Sequence, residues 1–274
     1  MSAMSTEQSK VEKPKIDLIT IAAITIITYF LAQIVHEGLG HGGMALLLGA
    51  KIIQVTNTNM EYDLVGVSEA ASRAIAIGGT LANVIFGVLA LWGLKKMMIQ
   101  SANMRFFLWL FGHVNLFKGF GYLLITFAPI GDWNDATNGL PSQVAWMIFF
   151  TLLGAVTSLG TFFYAARTLD EFIGQDKDRR RRAFTLTLIP YFLGGTVNVL
   201  ATIFGLGVTI YTFTGALATF GGTFLMVWLG LAIGLPRPHT PLEPVTPSRN
   251  TGWLVAGGLA LALYFFWLGP GLIS

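Results

Sequence analysis

His36, Glu37 and His41 stand close together in the stretch VHEGLGHGG, residues 35–43. Two imidazoles can bind a metal ion, and a carboxylate beside one of them can move a proton. The common zinc-hydrolase signature, H-E-x-x-H, sets its histidines four residues apart, whereas these are five apart. On an α-helix a separation of four leaves two side chains about 40° apart, and five leaves them about 140° apart. A π-bulge would absorb the extra residue and return both rings to one face; such bulges recur at functional sites. Gly38 and Gly40 flank the place where it would form, and Gly42 and Gly43 follow, residues that tolerate unusual backbone geometry. The expected chemistry is one Zn2+ ion held by His36 and His41, with Glu37 as base toward the water that the metal acidifies. The plainer alternative is a glutamate and two histidines hydrogen-bonded among helices.

A zinc site needs a third protein ligand. The chain has no cysteine and four histidines, so that ligand is a carboxylate or another imidazole. Asp132 and Asp135 lie in PIGDWNDATNG. Asp132, next to Gly131 near a helix end, is preferred over Asp135, although both also suit an ordinary acidic turn. His113 is the competing ligand. Asn115, Lys118 and Tyr122 follow it at spacings that share one helical face. Lys118 lies too deep in an apolar run to reach water, so it should face the interior and pair with an acid such as Asp135. A role for Lys118 at an oxyanion is the weaker option.

The elements that must position these groups are membrane helices. Of 274 residues, 54% are hydrophobic and 11% charged, with a mean hydropathy of +0.65; soluble domains carry about 25% charged residues. Seven runs approach the roughly 20 residues that span a bilayer core: 16–36 (extending toward 49), 72–94, 105–128, 143–166, 184–206, 208–235 and 251–269. The expected fold class is all-α, a polytopic bundle of about seven transmembrane helices. Residues 51–67, KIIQVTNTNMEYDLVGV, instead alternate around an Asn-Thr-Asn turn and predict a short β-hairpin after the first span. The repeated GGT at 78–80, 194–196 and 221–223 reads as small residues for close helix packing.

Basic residues orient the bundle. Lys10, Lys13 and Lys15 precede the first span; Lys95, Lys96 and Arg105 follow the second; Arg167, Lys177 and Arg179–Arg182 follow the fourth; Arg237 and Arg249 follow the sixth. The alternate loops hold Lys51 and Arg73. By the positive-inside rule the N-terminus is cytoplasmic and the first run is a retained anchor in the plasma or inner membrane. Arg179–Arg182 reads as a topology anchor, and His239, in a proline-rich loop, as solvated. The basic residues fall mostly in short loops, so no nucleic-acid partner is expected.

HEGLGH after an apolar helix, a strand-like segment, and then IGGTLANVIFGVLAL opening the next span together resemble the site-2-protease-type intramembrane metallopeptidases over residues 16–140. The resemblance implies His36 and His41 as zinc ligands, Glu37 as base, Asn83 as the polar residue near the active centre, and an aspartate from the third helix. The histidine spacing is one residue longer than that family's, a form similar to the HExxGH of the dipeptidyl peptidase III family. Thr80 stands where proline is usual, and the Leu-Asp-Gly motif is absent, so Asp132 is placed by position.

The expected organisation is a polar tail at 1–15, a metallopeptidase-like core at 16–140 and an accessory bundle at 141–274. The expected function is hydrolysis of a peptide bond, in a membrane protein or peptide substrate, in or near the bilayer. Two rivals are a transporter or proton relay through Glu37, His113 and Lys118, and a degenerate peptidase fold serving as a regulator.

Overall fold

The computed structural model describes residues 16–128, 131–234 and 237–273; the expected polar tail at 1–15 lies outside the described residues. Eight helices and a small sheet follow in order among those residues: α1 Leu18–Leu47, β1 Lys51–Val55, β2 Met60–Asp63, α2 Glu69–Lys96, α3 Ala102–Leu124, α4 Asp132–Thr137, α5 Gln143–Ile173, α6 Arg179–Leu206, α7 Ile210–Ala232, α8 Thr251–Leu268 and β3 Leu272–Ile273. Six of the helices, α1, α2, α5, α6, α7 and α8, are long and apolar enough to cross a membrane. The chain is thus an integral, multi-pass membrane protein. The seventh expected span is α3. Its 23 residues reach about 34 Å, but it falls outside the apolar set. Asn115, Lys118 and His113 are carried along its length and are all buried, so the bundle rather than lipid surrounds them.

Side chains mark several helix starts. Asp17 caps α1 through the Thr20 amide, Ser68 caps α2 through Ala71, Ser101 caps α3 through Met104, and Asn250 caps α8 through Trp253. Each satisfies an amide that the helix cannot. The largest apolar core lies among α1, α3, α5 and α6, around Trp109, Phe106, Phe172 and Ile24. Helices α5 and α8 instead present Phe149, Leu152, Val156, Phe163, Leu259 and Phe266 outward, as helices bordering lipid do.

The two ends of the bundle differ. At one end the start of α1 meets Pro247 (Asp17 N–H to its carbonyl, 3.2 Å), and Asn103 at the start of α3 exchanges two 3.0 Å hydrogen bonds with the Ser248 backbone. Arg105 pairs there with Glu171 near the end of α5. Buried Asp170 accepts from Arg179 Nη2 at 2.5 Å, and from Arg237 Nη1 and Thr240 Oγ1 at 2.9 Å each. Of the expected anchor, Arg179 and Arg182 are therefore buried and ion-paired, whereas Arg180 and Arg181 stay exposed. His239 is 47% exposed, with Nε2 3.8 Å from Asp170.

At the other end lies the sheet. The expected hairpin is present, with β1 antiparallel to β2, but β1 also pairs with β3, giving the order β2-β1-β3. The third strand escaped the sequence reading because two residues carry no period. It brings the ends of α1 and α8 together and leaves β2 as an edge among the described residues.

Candidate metal centre

Helix α1 is not uniformly α-helical. Ile34–Gly42 forms a π-helical segment, in which bonding runs from i to i+5 and residues five apart share a face. His36 and His41 accordingly meet, with ring centroids 4.9 Å apart and planes at 87°. The inserted residue is absorbed where the glycines predicted it. Close approach of the next helix explains one of them: a Cβ on Gly40 would lie 2.5 Å from the Gly79 Cα of α2.

Asp132 reaches the same point from α4. Gly131 precedes it with φ +89°, a conformation that favours glycine. Trp133, next in sequence, donates from Nε1 to Thr80 Oγ1 at 2.9 Å. Thr80, at the position where proline was the resemblance's norm, thus fastens α4 to α2. Asp132 Oδ2 lies 3.2 Å from His36 Nε2 and 3.4 Å from His41 Nε2. The three ligand atoms fall within 4.8 Å of one another.

The outer nitrogens are already committed. His36 Nδ1–H donates to Asn83 Oδ1 at 2.5 Å, and His41 Nδ1–H donates to the Ile75 carbonyl at 2.8 Å. Asn83 donates in turn to Asn115 Oδ1 (2.6 Å), and Asn115 to the Phe111 carbonyl (2.8 Å). Such partners fix the tautomer and orientation of ligating histidines. Both Nε2 atoms therefore face a carboxylate oxygen that is itself buried and without a hydrogen-bond partner. The 3.2 and 3.4 Å separations exceed the roughly 2.7–2.9 Å of a charge-assisted hydrogen bond. They match the spacing of about 3.3 Å between ligand atoms about 2 Å from a tetrahedral metal. His36, His41 and Asp132 could thus hold a metal ion.

Glu37, also buried, opens onto a cavity of about 370 Å3 shared with His41, Asp132, Asp135, Tyr62 and Tyr122. Burial opposes ionisation of Asp132, whereas a second proton on His41 or His36 holds its carboxyl below the ordinary value. Asp135 moves the other way: burial and then the charge of Asp132 raise it. Tyr62 is raised by burial and by Asp132, Asp135 and Glu37.

The other expected site residues separate. Asp135 lines the cavity but stands outside the metal-ligand group. His113 is not at the site: its Nδ1 bonds the Trp109 carbonyl one turn back at 2.7 Å, and Trp109 and Tyr164 pack against its ring. Lys118 is buried as expected, yet its ammonium donates to Gln33 Oε1 rather than to an acid. Gln33 lies on α1 within the same bundle interior, whereas Asp135 belongs to a helix beyond the end of α3. Gln33 also donates to Asn198 Oδ1 at 2.7 Å, which accepts from Asn57 and Tyr264 as well. The relay through Glu37, His113 and Lys118 therefore has no continuous path among these contacts.

Four participants escaped the sequence reading. Gly79 lies against both imidazoles: its Cβ would sit 2.6 Å from His36 Cε1 and from His41 Nε2. The GGT signal had suggested helix packing alone. Gln33 could have been noticed as a polar residue in an apolar run, three positions before His36. Tyr211 and Leu217 of α7 line the cavity, so the accessory half supplies part of its wall. Tyr211 bonds Glu61 Oε1 of β2 at 3.3 Å.

Compared with known proteins, the chain matches no family model, no curated protein and no solved structure. The geometry of the site carries the functional argument.

Proposed function

We propose that this protein is a membrane-embedded zinc-dependent peptidase of the site-2-protease type, cleaving a peptide bond in or near the bilayer. The observation that carries this reading is the convergence of His36 Nε2, His41 Nε2 and an Asp132 oxygen with no hydrogen-bond partner, where His41, Asp132 and the buried Glu37 line one cavity. Two imidazoles and a carboxylate suit zinc better than the harder all-oxygen cations. When bound, zinc would supply a Lewis acid and an acidified water.

The chain's own groups do the rest. Asn83 and the Ile75 carbonyl hold the rings in register. Glu37 takes a proton as the water oxygen bonds to the carbonyl carbon, and returns it to the amide nitrogen as the C–N bond breaks. The free edge of β2, whose Met60 and Tyr62 line the cavity, offers backbone donors and acceptors to an extended substrate strand. A substrate helix must unwind to use them.

The gathering of basic residues at the end opposite the sheet supports a cytoplasmic N-terminus in a plasma or inner membrane, with the site nearer the outer face. Zinc analysis of detergent-purified protein beside His41→Ala, with cleavage by wild type and Glu37→Gln, tests the proposal. One tightly bound zinc in wild type, none in His41→Ala, and no turnover by metal-loaded Glu37→Gln are expected. Equal zinc in wild type and His41→Ala, or undiminished cleavage by Glu37→Gln, removes it.

A further inference from the structure

Hydrolysis of an amide places negative charge on the former carbonyl oxygen, and a fixed hydrogen-bond donor there contributes strongly to the rate. The polar groups nearest the site are mostly unable to serve. Asn83 spends Oδ1 on His36 and donates from Nδ2 to Asn115. Asn115 donates to the Phe111 carbonyl. Lys118, the cation that the sequence had offered for this role, is held by Gln33 and is not part of the cavity lining.

Tyr122 continues the face of Asn115 and Lys118 one turn further along α3, and it does line the cavity. Its ring stacks on His36, with centroids 4.7 Å apart and planes at 25°. A ring pinned to a candidate ligand has little freedom, so its hydroxyl is positioned without reorganisation. That hydroxyl has no hydrogen-bond partner among the described residues. Two other tyrosines reach the cavity. Tyr211 already donates to Glu61. Tyr62 stands on the edge strand, and no imidazole stacks on its ring among the described residues.

We infer that Tyr122 is a catalytic residue of the proposed peptidase, its phenolic O–H donating to the substrate carbonyl oxygen as that oxygen gains charge. The inference rests on the peptidase reading. It adds a donor supplied by the chain, while Asn83 acts only through His36.

The test uses full-length protein in detergent, loaded with zinc, and a quenched-fluorescent library of hydrophobic peptides. Tyr122→Phe keeps the stacked ring and removes only the oxygen. Its zinc stoichiometry should equal wild type, its kcat should fall about a hundredfold, and its KM should change far less. Asn83→Ala should instead lose zinc affinity, the signature of a positioning residue. Wild-type kcat in Tyr122→Phe overturns the inference. So does a hundredfold fall in Tyr62→Phe with Tyr122→Phe unaffected, which assigns the donor to the hairpin. A wild type that binds zinc but cleaves no library member overturns the peptidase reading, and this inference with it.

Discussion

Gly79→Ala places one methyl group where α2 meets the two imidazoles. The new Cβ would lie 2.6 Å from His36 Cε1, 2.6 Å from His41 Nε2 and 2.7 Å from His36 Nε2. Ordinary van der Waals contact begins at 3.4 Å, so each ring must retreat by about 0.8 Å, or α2 must back away from α1. Retreat of α2 would also open the tight backbone packing at Gly78, where a Cβ would lie only 2.6 Å from the Gly40 carbonyl oxygen. The rings cannot both move away from α2 without stretching a bond at Nδ1, because Asn83 and Ile75 of α2 itself tie them to that helix. Shifts of that size at a ligand set match the loss of an outer partner, about 10- to 100-fold in metal affinity. Competitive zinc titration against a chromophoric chelator measures this directly. Gly43→Ala is the control: nothing lies within 4 Å of its Cβ, and zinc affinity should stay within about twofold. Unchanged zinc affinity in a folded Gly79→Ala protein would refute the argument that this glycine exists to admit the two rings.

Asn83→Ala frees His36 Nδ1 and should weaken zinc binding about 10- to 100-fold with the fold retained, read by the same titration. His113→Leu should leave zinc stoichiometry at the wild-type value, since the ring bonds only the Trp109 carbonyl among the described residues; loss of zinc would return His113 to the ligand set. Gln33→Leu strands the buried Lys118 ammonium and should cost about 2 kcal/mol or more of stability, measured by thermal unfolding in detergent. Asp170→Ala leaves Arg179 and Arg237 without their carboxylate and should destabilise by about 3 kcal/mol. Zinc binding at the far end of the bundle should be unaltered by it, and a parallel loss of metal would show that the two ends are coupled.

Local pattern carried much of this protein. Apolar runs of membrane length were legible because each helix satisfies its own backbone in lipid, so the signal is complete within about 20 residues. The hairpin was legible because alternation around Asn-Thr-Asn is equally local. The π-helical turn was legible as a demand: two histidines five apart among four glycines are useful together only if the helix distorts. Asp132 was preferred over Asp135 from its place beside Gly131, and the structure brings Asp132, not Asp135, to the two imidazoles.

What stayed hidden was decided by which elements meet in space. Lys118 needed a partner, and sequence named the wrong one because any carboxylate qualifies on paper, whereas among the described residues its ammonium donates to Gln33. Gly79 reads as packing until α2 is seen crossing the π-helical turn at backbone contact. β3 and the α7 wall of the cavity come from the last 70 residues and have no local signature of either role. Residue chemistry and spacing follow from the order of the chain. The closeness of His36, Tyr122 and Asp132 follows from how three helices pack, because a side chain's neighbours are set by interhelical distances that no short window of sequence contains.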